Sequence, residues 1–467
     1  MTRRFKTLRS CFLLFCIAVI LAFVSTASAQ WNEQVLYSFQ GLPDGATPVG
    51  GMVFDKEGNL YGATANGGSS SCSGPGQCGT VFQLAPPAKH GDPWTETVLY
   101  VFKGRANNDG ATPGGGLIRD ASGNLYGTTG YDGTGTCKLL GGVVGCGVVY
   151  ELSPPAQRGG AWTEKVLYSF QGGNDGYVPT GDLVFDKAGN LYGATLFGGG
   201  KGTNCNSLYG GNCGTIFELS PPAQPGGAWT EMVVHSFAGV GPAGTTCDGA
   251  NPNGELVIDE TGVLYGTTYA GGFNCPHNSE QGCGTVFKLA SQSVKRAIWT
   301  ETLLYIFKGV PDGSGPAAGV IFDGKGDLFG TTAGGGDSKF PSGTVFRLAP
   351  QGTAAGWTEN LVYSFSEGSD GGQPRGVVVL DPKGELYGTA ALAGNGGAGT
   401  LYQLRSTIAT SQTLEVLHTF TAHGDGEYPY GGLVVDAAGP IFGVTQYGGV
   451  GATCGQNGCG TVFEVTP

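Results

Sequence analysis

The chain has 467 residues and a formal net charge of −12, with 36 acidic against 24 basic residues. A charge of that sign repels phosphates, so we expect no nucleic-acid partner. The apolar fraction of 40% excludes a disordered chain, and the 89 glycines indicate many turns between short apolar strands.

The first 29 residues have the pattern of a secretory signal peptide. Basic residues within positions 3–9 precede an apolar run over 11–24, and the small-x-small sequence Ala27-Ser28-Ala29 follows. The run is shorter than the ~20 residues of a membrane-spanning helix. We therefore predict a signal peptide over 1–29, a secreted or periplasmic protein and no transmembrane segment in the mature chain. A permanent N-terminal anchor is the alternative.

Residues 31–467 form a tandem repeat. The sequence Asp-Gly-x-x-Pro occurs seven times at intervals of 55 to 73 residues, and each copy leads into four short apolar segments. We name the segments a, b, c and d; in the first copy they read GMVFD, NLYGAT, GTVFQL and WTETVLYVF. They are rich in β-branched and aromatic residues and are bounded by Gly, Pro, Asp or Asn, which is typical of strands.

Four antiparallel strands in seven copies predict an all-β fold, a single seven-bladed β-propeller of four-stranded antiparallel blades over residues 30–467. A d segment comes first in the chain, and the last a, b and c segments have no d after them. A ring resolves this if the N-terminal strand completes the last blade, which closes the array and removes an open edge. The repeats then begin near residues 31, 94, 162, 229, 299, 357 and 414.

The run "GNLYGTT…GG…GTVF.L…WTE.VLYSF…DG..P…GLV.D" resembles the tandem repeat of the choice-of-anchor GloVer-containing proteins, which are exported bacterial proteins. The resemblance covers residues 31–467. It implies an exported, repetitive protein and no settled activity. It also implies a surface anchor, and no anchor pattern is visible in this sequence.

Ten cysteines form five pairs at one position of the repeat. Each pair lies in the connection between b and c, and its second member directly precedes segment c. In an exported chain this pattern predicts five disulfides within loops. The pairs are Cys72/Cys78, Cys137/Cys146, Cys205/Cys213, Cys275/Cys283 and Cys454/Cys459, and Cys247 is left unpaired. A metal site is the alternative, but it needs four converging ligands, so we expect neither a metal nor a cofactor.

The repeated aspartates are the candidate binding residues. Strand order places the Asp-Gly-x-x-Pro turns and the b–c connections on one face of the ring, around a central mouth. An acidic ring there could bind a cation or sugar hydroxyls; the alternative is that each Asp accepts hydrogen bonds from its own turn. The residues are Asp44, Asp109, Asp175, Asp248, Asp312, Asp370 and Asp425.

Two histidines on the same face, His277 and His423, are the candidates for a general base. His235 and His418 replace the Tyr of segment d, so we expect them to be packed strand residues. None of the common nucleophile-elbow, zinc-protease, phosphate-loop or calcium-loop motifs is present.

These observations predict a secreted, monomeric, non-catalytic binding or scaffold protein. Its expected partner is a glycan or an extracellular protein, bound through the loop-rich face. A polysaccharide hydrolase or lyase with its site at the central mouth is one alternative, and a purely structural surface protein is another. An enzyme would bring non-repeated His, Glu, Arg or Tyr side chains together at the mouth.

Overall fold

The structure is a computed structural model that describes most of the chain from residue 31 onward. The described residues are 31–72, 78–89, 91–139, 142–157, 159–200, 213–224, 226–239, 248–272, 282–292, 298–336, 341–352, 356–405, 413–422, 424–436, 438–451 and 454–467. The predicted signal peptide lies outside them, and so do His277, His423 and Cys247.

The described residues form strands, with short 3₁₀ turns at Arg105–Asn107 and Gly455–Asn457. Strand β1 (Asn32–Ser38) opens the chain. Blade 1 consists of β2 (Gly45–Phe54), β3 (Leu60–Gly67), β4 (Thr80–Ala85) and β5 (Thr95–Val101). Blade 2 consists of β6 (Gly110–Pro113), β7 (Ile118–Arg119), β8 (Leu125–Asp132), a side hairpin of β9 (Lys138–Leu139) and β10 (Gly142–Val143), β11 (Val148–Ser153) and β12 (Thr163–Ser169). Blade 3 consists of β13 (Tyr177–Phe185), β14 (Leu191–Phe197), β15 (Thr215–Ser220) and β16 (Thr230–Ser236).

The remaining four blades continue the pattern. Blade 4 consists of β17 (Val257–Ile258), β18 (Leu264–Thr268), β19 (Thr285–Ser291) and β20 (Trp299–Ile306). Blade 5 consists of β21 (Gly313–Ser314), β22 (Ile321–Phe322), β23 (Leu328–Thr332), β24 (Gly334–Gly335), β25 (Thr344–Pro350) and β26 (Trp357–Ser364), of which β21 and β24 form a separate ribbon. Blade 6 consists of β27 (Val379–Leu380), β28 (Leu386–Ala390), β29 (Thr400–Arg405) and β30 (Thr413–Thr419). Blade 7 consists of β31 (Val434–Val435), β32 (Ile441–Thr445), β33 (Thr461–Thr466) and β1.

The sheet order confirms the predicted seven-bladed propeller and its closure. Segments a, b, c and d are neighbours in that order in every blade, with a innermost. The N-terminal strand β1 pairs antiparallel with β33, from Asn32 opposite Thr466 to Ser38 opposite Thr461. The outer strand of the last blade is therefore supplied by the start of the described chain, and the ring has no open sheet between its first and last blades.

Each blade contacts the next through a pair of buried aromatic rings. The Phe that ends each outer strand packs edge-to-face on the ring of segment c in the following blade. The Phe39 and Phe82 centroids are 5.1 Å apart, and the other six pairs are 5.0–5.2 Å apart. The glycine of the repeated "LYG" makes room for this ring, because a Cβ on Gly62 would lie 2.5 Å from Phe82. The aromatic residues of segments c and d and the glycine of segment b are therefore repeated because they form the contacts between blades.

A backbone hydrogen bond also recurs at all seven blade junctions. The third residue after the Asp of each turn has a positive φ, and its N–H donates to the carbonyl directly before segment c of the previous blade. Thr47, with φ 55°, donates to Cys459 at 2.8 Å, and the other six bonds are 2.6–3.0 Å long. In five junctions the acceptor is the second Cys of a predicted pair, so these disulfides lie where two blades meet.

The disulfide prediction is confirmed for the three pairs that lie wholly within the described residues, Cys72–Cys78, Cys137–Cys146 and Cys454–Cys459. Cys213 and Cys283 are also disulfide-bonded, but their predicted partners, Cys205 and Cys275, lie outside the described residues. Disulfides indicate folding in an oxidising, non-cytoplasmic compartment. Within the described part of the chain, no helix is long and apolar enough to cross a membrane.

Glycines allow the inner strands to meet at the axis. A Cβ on Gly50 would lie 1.8 Å from the Gly116 nitrogen of the next blade, and one on Gly254 would lie 2.2 Å from the Gly319 nitrogen. In blades 4 to 7 the inner strands are also shorter than the predicted five-residue a segments, because only two residues of each pair with b. The preceding residues leave the ladder and line the axis instead.

Replacing Gly50 by Ala tests the packing at the axis. We expect Gly50→Ala to lower the free energy of unfolding by about 3 kcal/mol, because its Cβ meets backbone that cannot move aside. Gly173 has a matching φ of +63°, but a Cβ there meets nothing within 4 Å. Gly173→Ala should therefore cost only about 1 kcal/mol. Denaturant unfolding measures both variants, and equal losses would contradict close packing at the axis.

Candidate functional site

The seven predicted binding aspartates lie at the blade junctions, where their carboxylates hold the turns. Asp44 accepts hydrogen bonds from the Tyr37 hydroxyl at 3.0 Å and from backbone N–H groups of its own turn at 2.6–2.9 Å. A Tyr hydroxyl donates to the Asp in five junctions, and His235 and His418 take its place in the other two. None of the seven lines the central cavity, and their role in binding stays a prediction.

A glutamate completes six of the seven junctions. The glutamate lies four residues before the Tyr or His of the outer strand. In blade 6 this position is occupied by Leu414. Burial is the main cause that raises the pKa of these carboxyls, to about 7 in five of them and to about 8 in Glu301. The negative charge of the junction aspartate raises the pKa further. The glutamates are Glu33, Glu96, Glu164, Glu231, Glu301 and Glu359.

The central mouth of the ring holds a cavity of about 320 Å³. This is at the lower end of the ~300–1,000 Å³ typical of ligand sites. Gln446, directly after β32, lines it, so the cavity opens on the face of the b–c connections. Much of its wall is backbone of Gly50, Gly114, Gly115, Gly181, Gly431 and Gly432. Its polar side chains are Asp182, Asn253, Glu255, Arg375, Tyr430 and Gln446.

Most of these polar side chains occur where the seven repeats differ. The third residue after the turn proline is Gly in four blades, but Asp182 in blade 3 and Glu255 in blade 4. The first residue after the turn proline is Asn253 in blade 4, Arg375 in blade 6 and Tyr430 in blade 7. The other four blades have Val, Gly, Thr or Ala at this position. The sevenfold repetition is therefore broken by polar and charged groups at positions that face one cavity.

The two acidic residues are held by the backbone of neighbouring blades. The N–H groups of Gly51 and Gly116 donate to the Asp182 carboxylate, and the Gly319 N–H donates to Glu255 Oε2 at 2.9 Å. Burial, together with the negative charge of Glu255, raises the pKa of Asp182 to about 8. A raised pKa favours the protonated carboxyl, and in that form the group can act as a hydrogen-bond donor or a general acid.

Arg375 and Tyr430 form another side of the cavity, on blades 6 and 7. The guanidinium carbon of Arg375 lies 5.7 Å from the centroid of the Tyr430 ring, and its Nη2 donates to Gln373 Oε1 at 3.0 Å. The backbone of Gln373 makes the junction bond described above, so the same residue holds two blades together and orients the arginine. The cavity thus has a cationic, aromatic side as well as an acidic one, which suits a polar ligand.

Two further cavities help to locate the site. A cavity of about 160 Å³ shares Arg375 with the central one and reaches over blades 4 to 6, next to Tyr269. A larger cavity of about 620 Å³ lies between the a–b turns of blades 5 and 6, lined by Lys325 and Lys383. An equivalent cavity recurs between blades 3 and 4. The larger cavity therefore belongs to the repeat, whereas the central one is lined by residues that differ between the repeats.

The residues of the central cavity are not among the site residues predicted from the sequence. The predicted general-base candidates, His277 and His423, lie outside the described residues. A signal for the cavity was nevertheless present in the sequence, because a glycine position of the repeat is occupied by Asp182 and Glu255. The predicted candidates are histidines, whereas the departures from the repeat that line the mouth include two carboxylates, an arginine and a tyrosine.

The junction glutamates should make the protein less stable at high pH. Their folded-state pKa is raised above the unfolded value of about 4.5, so their stabilising effect is complete below pH 4.5 and is lost as pH rises through 7. We expect the unfolding temperature to fall between pH 5 and pH 8, and to fall less in Glu96→Gln. Exposed Glu57 provides the control, because Glu57→Gln should leave the pH dependence as in the wild type. A flat pH profile for the wild type would contradict the prediction.

Comparisons with known proteins find one repeat-family model and several solved structures of low sequence identity. A comparison with curated proteins finds no match. A putative 6-phosphogluconolactonase from Bacteroides uniformis ATCC 8492 is 15% identical, with 79% of this chain and 83% of that one covered and a TM-score of 0.45. An ulvan lyase, a polysaccharide lyase, is 9% identical, with 90% of each chain covered and a TM-score of 0.49. The PQQ domain of a pyranose dehydrogenase from Coprinopsis cinerea is 11% identical, with 94% of this chain and 96% of that one covered and a TM-score of 0.42.

Likeness at this level supports no inference about activity. The family comparison is more informative, because residues 275–467 match the model of the Gloeobacter/Verrucomicrobia repeat. This agrees with the repeat motifs quoted from the sequence and is consistent with a GloVer repeat-containing protein.

Proposed function

We propose that the protein is an exported binding protein that holds a glycan chain in its central cavity. The observation that carries the proposal is that acidic, amide, cationic and aromatic side chains replace repeat residues at positions facing this one cavity. A side chain that served only the blade would recur in the other blades. The predicted signal peptide and the disulfides support export.

The lining of the cavity favours a ligand with many hydroxyl groups. Asn253 and Gln446 can both donate and accept hydrogen bonds, and a protonated Asp182 can donate one. Side chains of Val49 and Ala317 are the apolar part of the lining, which is too little to hold an apolar ligand. A sugar ring offers hydroxyls to the polar groups and C–H faces to an aromatic ring.

The adjoining small cavity favours a chain of sugars over a single one. It continues from Arg375 towards Tyr269, whose side chain is 38% exposed and could stack on a second sugar. A linear glycan could therefore place one residue over the axis and the next over blades 4 to 6. Arg375 lies between the two positions and suits a carboxylate or sulfate on the chain.

A glycan array of the purified protein tests this proposal. We expect at least one glycan to bind, and Arg375→Ala and Tyr430→Ala each to weaken its binding at least tenfold, which is about 1.4 kcal/mol. Titration calorimetry with the glycan identified on the array measures the affinities.

Lys383→Ala is the matched control, because it removes a cation from the larger cavity on the other face. It should leave binding unchanged. Loss of binding in Lys383→Ala alone would move the site to that cavity, and a protein that binds no glycan on the array would contradict the proposal.

A polysaccharide hydrolase or lyase is the second candidate, favoured by the raised pKa of Asp182 next to Glu255. A carboxyl that is protonated at neutral pH can act as a general acid beside a second carboxylate. In that case the glycan would be cleaved, and Asp182→Asn and Glu255→Gln would each lower the turnover at least a hundredfold while binding persists. Release of new chain ends from the bound glycan measures turnover, and an intact glycan after prolonged incubation would exclude this candidate.

A further inference from the structure

The junction between blades 3 and 4 differs chemically from its equivalents. In most junctions a Tyr hydroxyl donates to the Asp, and a Glu of the following outer strand lies beside the pair. At this junction the Tyr is replaced by His235, which faces Asp248 and Glu301. An imidazole nitrogen and two carboxylates therefore meet where other junctions present a phenol and two carboxylates.

The geometry of these three groups is compact. His235 Nε2 lies 3.1 Å from Asp248 Oδ2, and the ligand atoms of His235, Asp248 and Glu301 all lie within 4.8 Å of one another. Among the described residues, this is the only such group of three or more His, Cys, Asp and Glu side chains. The His235 and Asp248 side chains are 18% and 14% exposed, so the group is sheltered but reachable.

The surrounding contacts hold the ligands in place. The ring of His235 packs edge-to-face on Phe237 with centroids 4.7 Å apart. The Ala238 N–H donates to Asp248 Oδ1 at 2.7 Å, which leaves Oδ2 directed towards the histidine. Glu301 Oε1 is buried and has no hydrogen-bond partner. The corresponding oxygens of Glu33, Glu96, Glu164 and Glu231 are unpartnered too; the last three lie at junctions with Tyr, and Glu33 lies at the junction with His418. The histidine is thus the group that turns a repeated pair of acids into a set of metal ligands.

We propose that His235, Asp248 and Glu301 bind a first-row divalent cation, for which Zn²⁺ is the probe, between blades 3 and 4. Imidazole and carboxylate are ligands of Zn²⁺, and about 2.0 Å from the metal they stand about 3.3 Å apart in a tetrahedral site. The separation of His235 and Asp248 already matches that value, and a small rotation brings in Glu301. Three protein ligands leave a fourth position for water or another ligand. Because Glu301 belongs to blade 4 and His235 to blade 3, the cation joins two blades.

The junction of blade 7 provides an internal comparison. His418 Nε2 lies 3.2 Å from Asp425 Oδ2, and Glu33 is the junction glutamate. There, however, the backbone and hydroxyl groups of Thr421 donate three hydrogen bonds to the Asp425 carboxylate. This junction does not bring three ligand atoms within 4.8 Å, so we expect no cation site at it.

Zinc titration of the chelator-treated protein, with its disulfides intact and any free thiol alkylated, tests the proposal. We expect one Zn²⁺ per chain by calorimetry and by equilibrium dialysis, and a higher unfolding temperature with Zn²⁺ than without it. His235→Tyr, which restores the residue of the repeat, should abolish stoichiometric binding and the thermal shift. The matched variant His418→Tyr should retain both.

Glu301→Gln keeps the shape of the side chain and should weaken Zn²⁺ binding at least tenfold, so it serves as a second variant if His235→Tyr folds poorly. Circular dichroism checks the fold of each variant. The proposal is overturned if the wild type binds no stoichiometric Zn²⁺, or if folded His235→Tyr and Glu301→Gln bind it as tightly as the wild type does. Loss of binding in His418→Tyr alone would overturn it as well, because the cation would then lie at the other junction.

Discussion

The ring depends on one backbone hydrogen bond that is repeated at every blade junction. A residue with positive φ in each Asp-Gly-x-x-Pro turn donates its N–H to the carbonyl before segment c of the previous blade. The aspartate of the turn holds this conformation through its own hydrogen bonds, and the aromatic pair beneath the turn excludes water from the junction. A disulfide fixes the acceptor loop in the junctions where Cys precedes segment c. Motifs that lie far apart in the sequence thus stabilise the same contact, the junction between two blades.

This constraint leaves few positions free to vary. The turn needs its aspartate and proline, the junction needs the aromatic rings, and the axis needs glycine wherever inner strands approach each other. The first and third residues after the turn proline differ between blades, and where they carry the side chains of Asp182, Glu255 and Arg375 these line the central cavity. Arg375 and Glu255 occupy such positions, and their chemistry can differ from that of the other blades without disturbing the ring.

Much of the fold could be predicted from the sequence, because strand spacing, blade number and ring closure all follow from the repeat. Three cysteine pairs could be predicted for the same reason. The length of the inner strands could not be predicted. Where glycines bring these strands together at the axis, the residues no longer pair with segment b, and no local sequence pattern indicates this. The residues that line the central cavity were also not predicted, although a site at the central mouth was one of the expectations. Asp182 and Glu255 are ordinary residue types whose meaning comes only from the glycines they replace in the other repeats.

Both proposed sites arise in the same physical way. At a repeated position, a neighbouring group is already placed to contact a new side chain. A single substitution there can therefore create a binding site without a new loop. Asp182 accepts bonds from N–H groups that the neighbouring blades present to the cavity, and His235 faces an aspartate that every junction supplies. The supporting backbone is set by the closed ring, so neither side chain has to be ordered when a ligand arrives. A rigid repeat can therefore acquire specific sites by single substitutions, because the repeat itself provides their positioning.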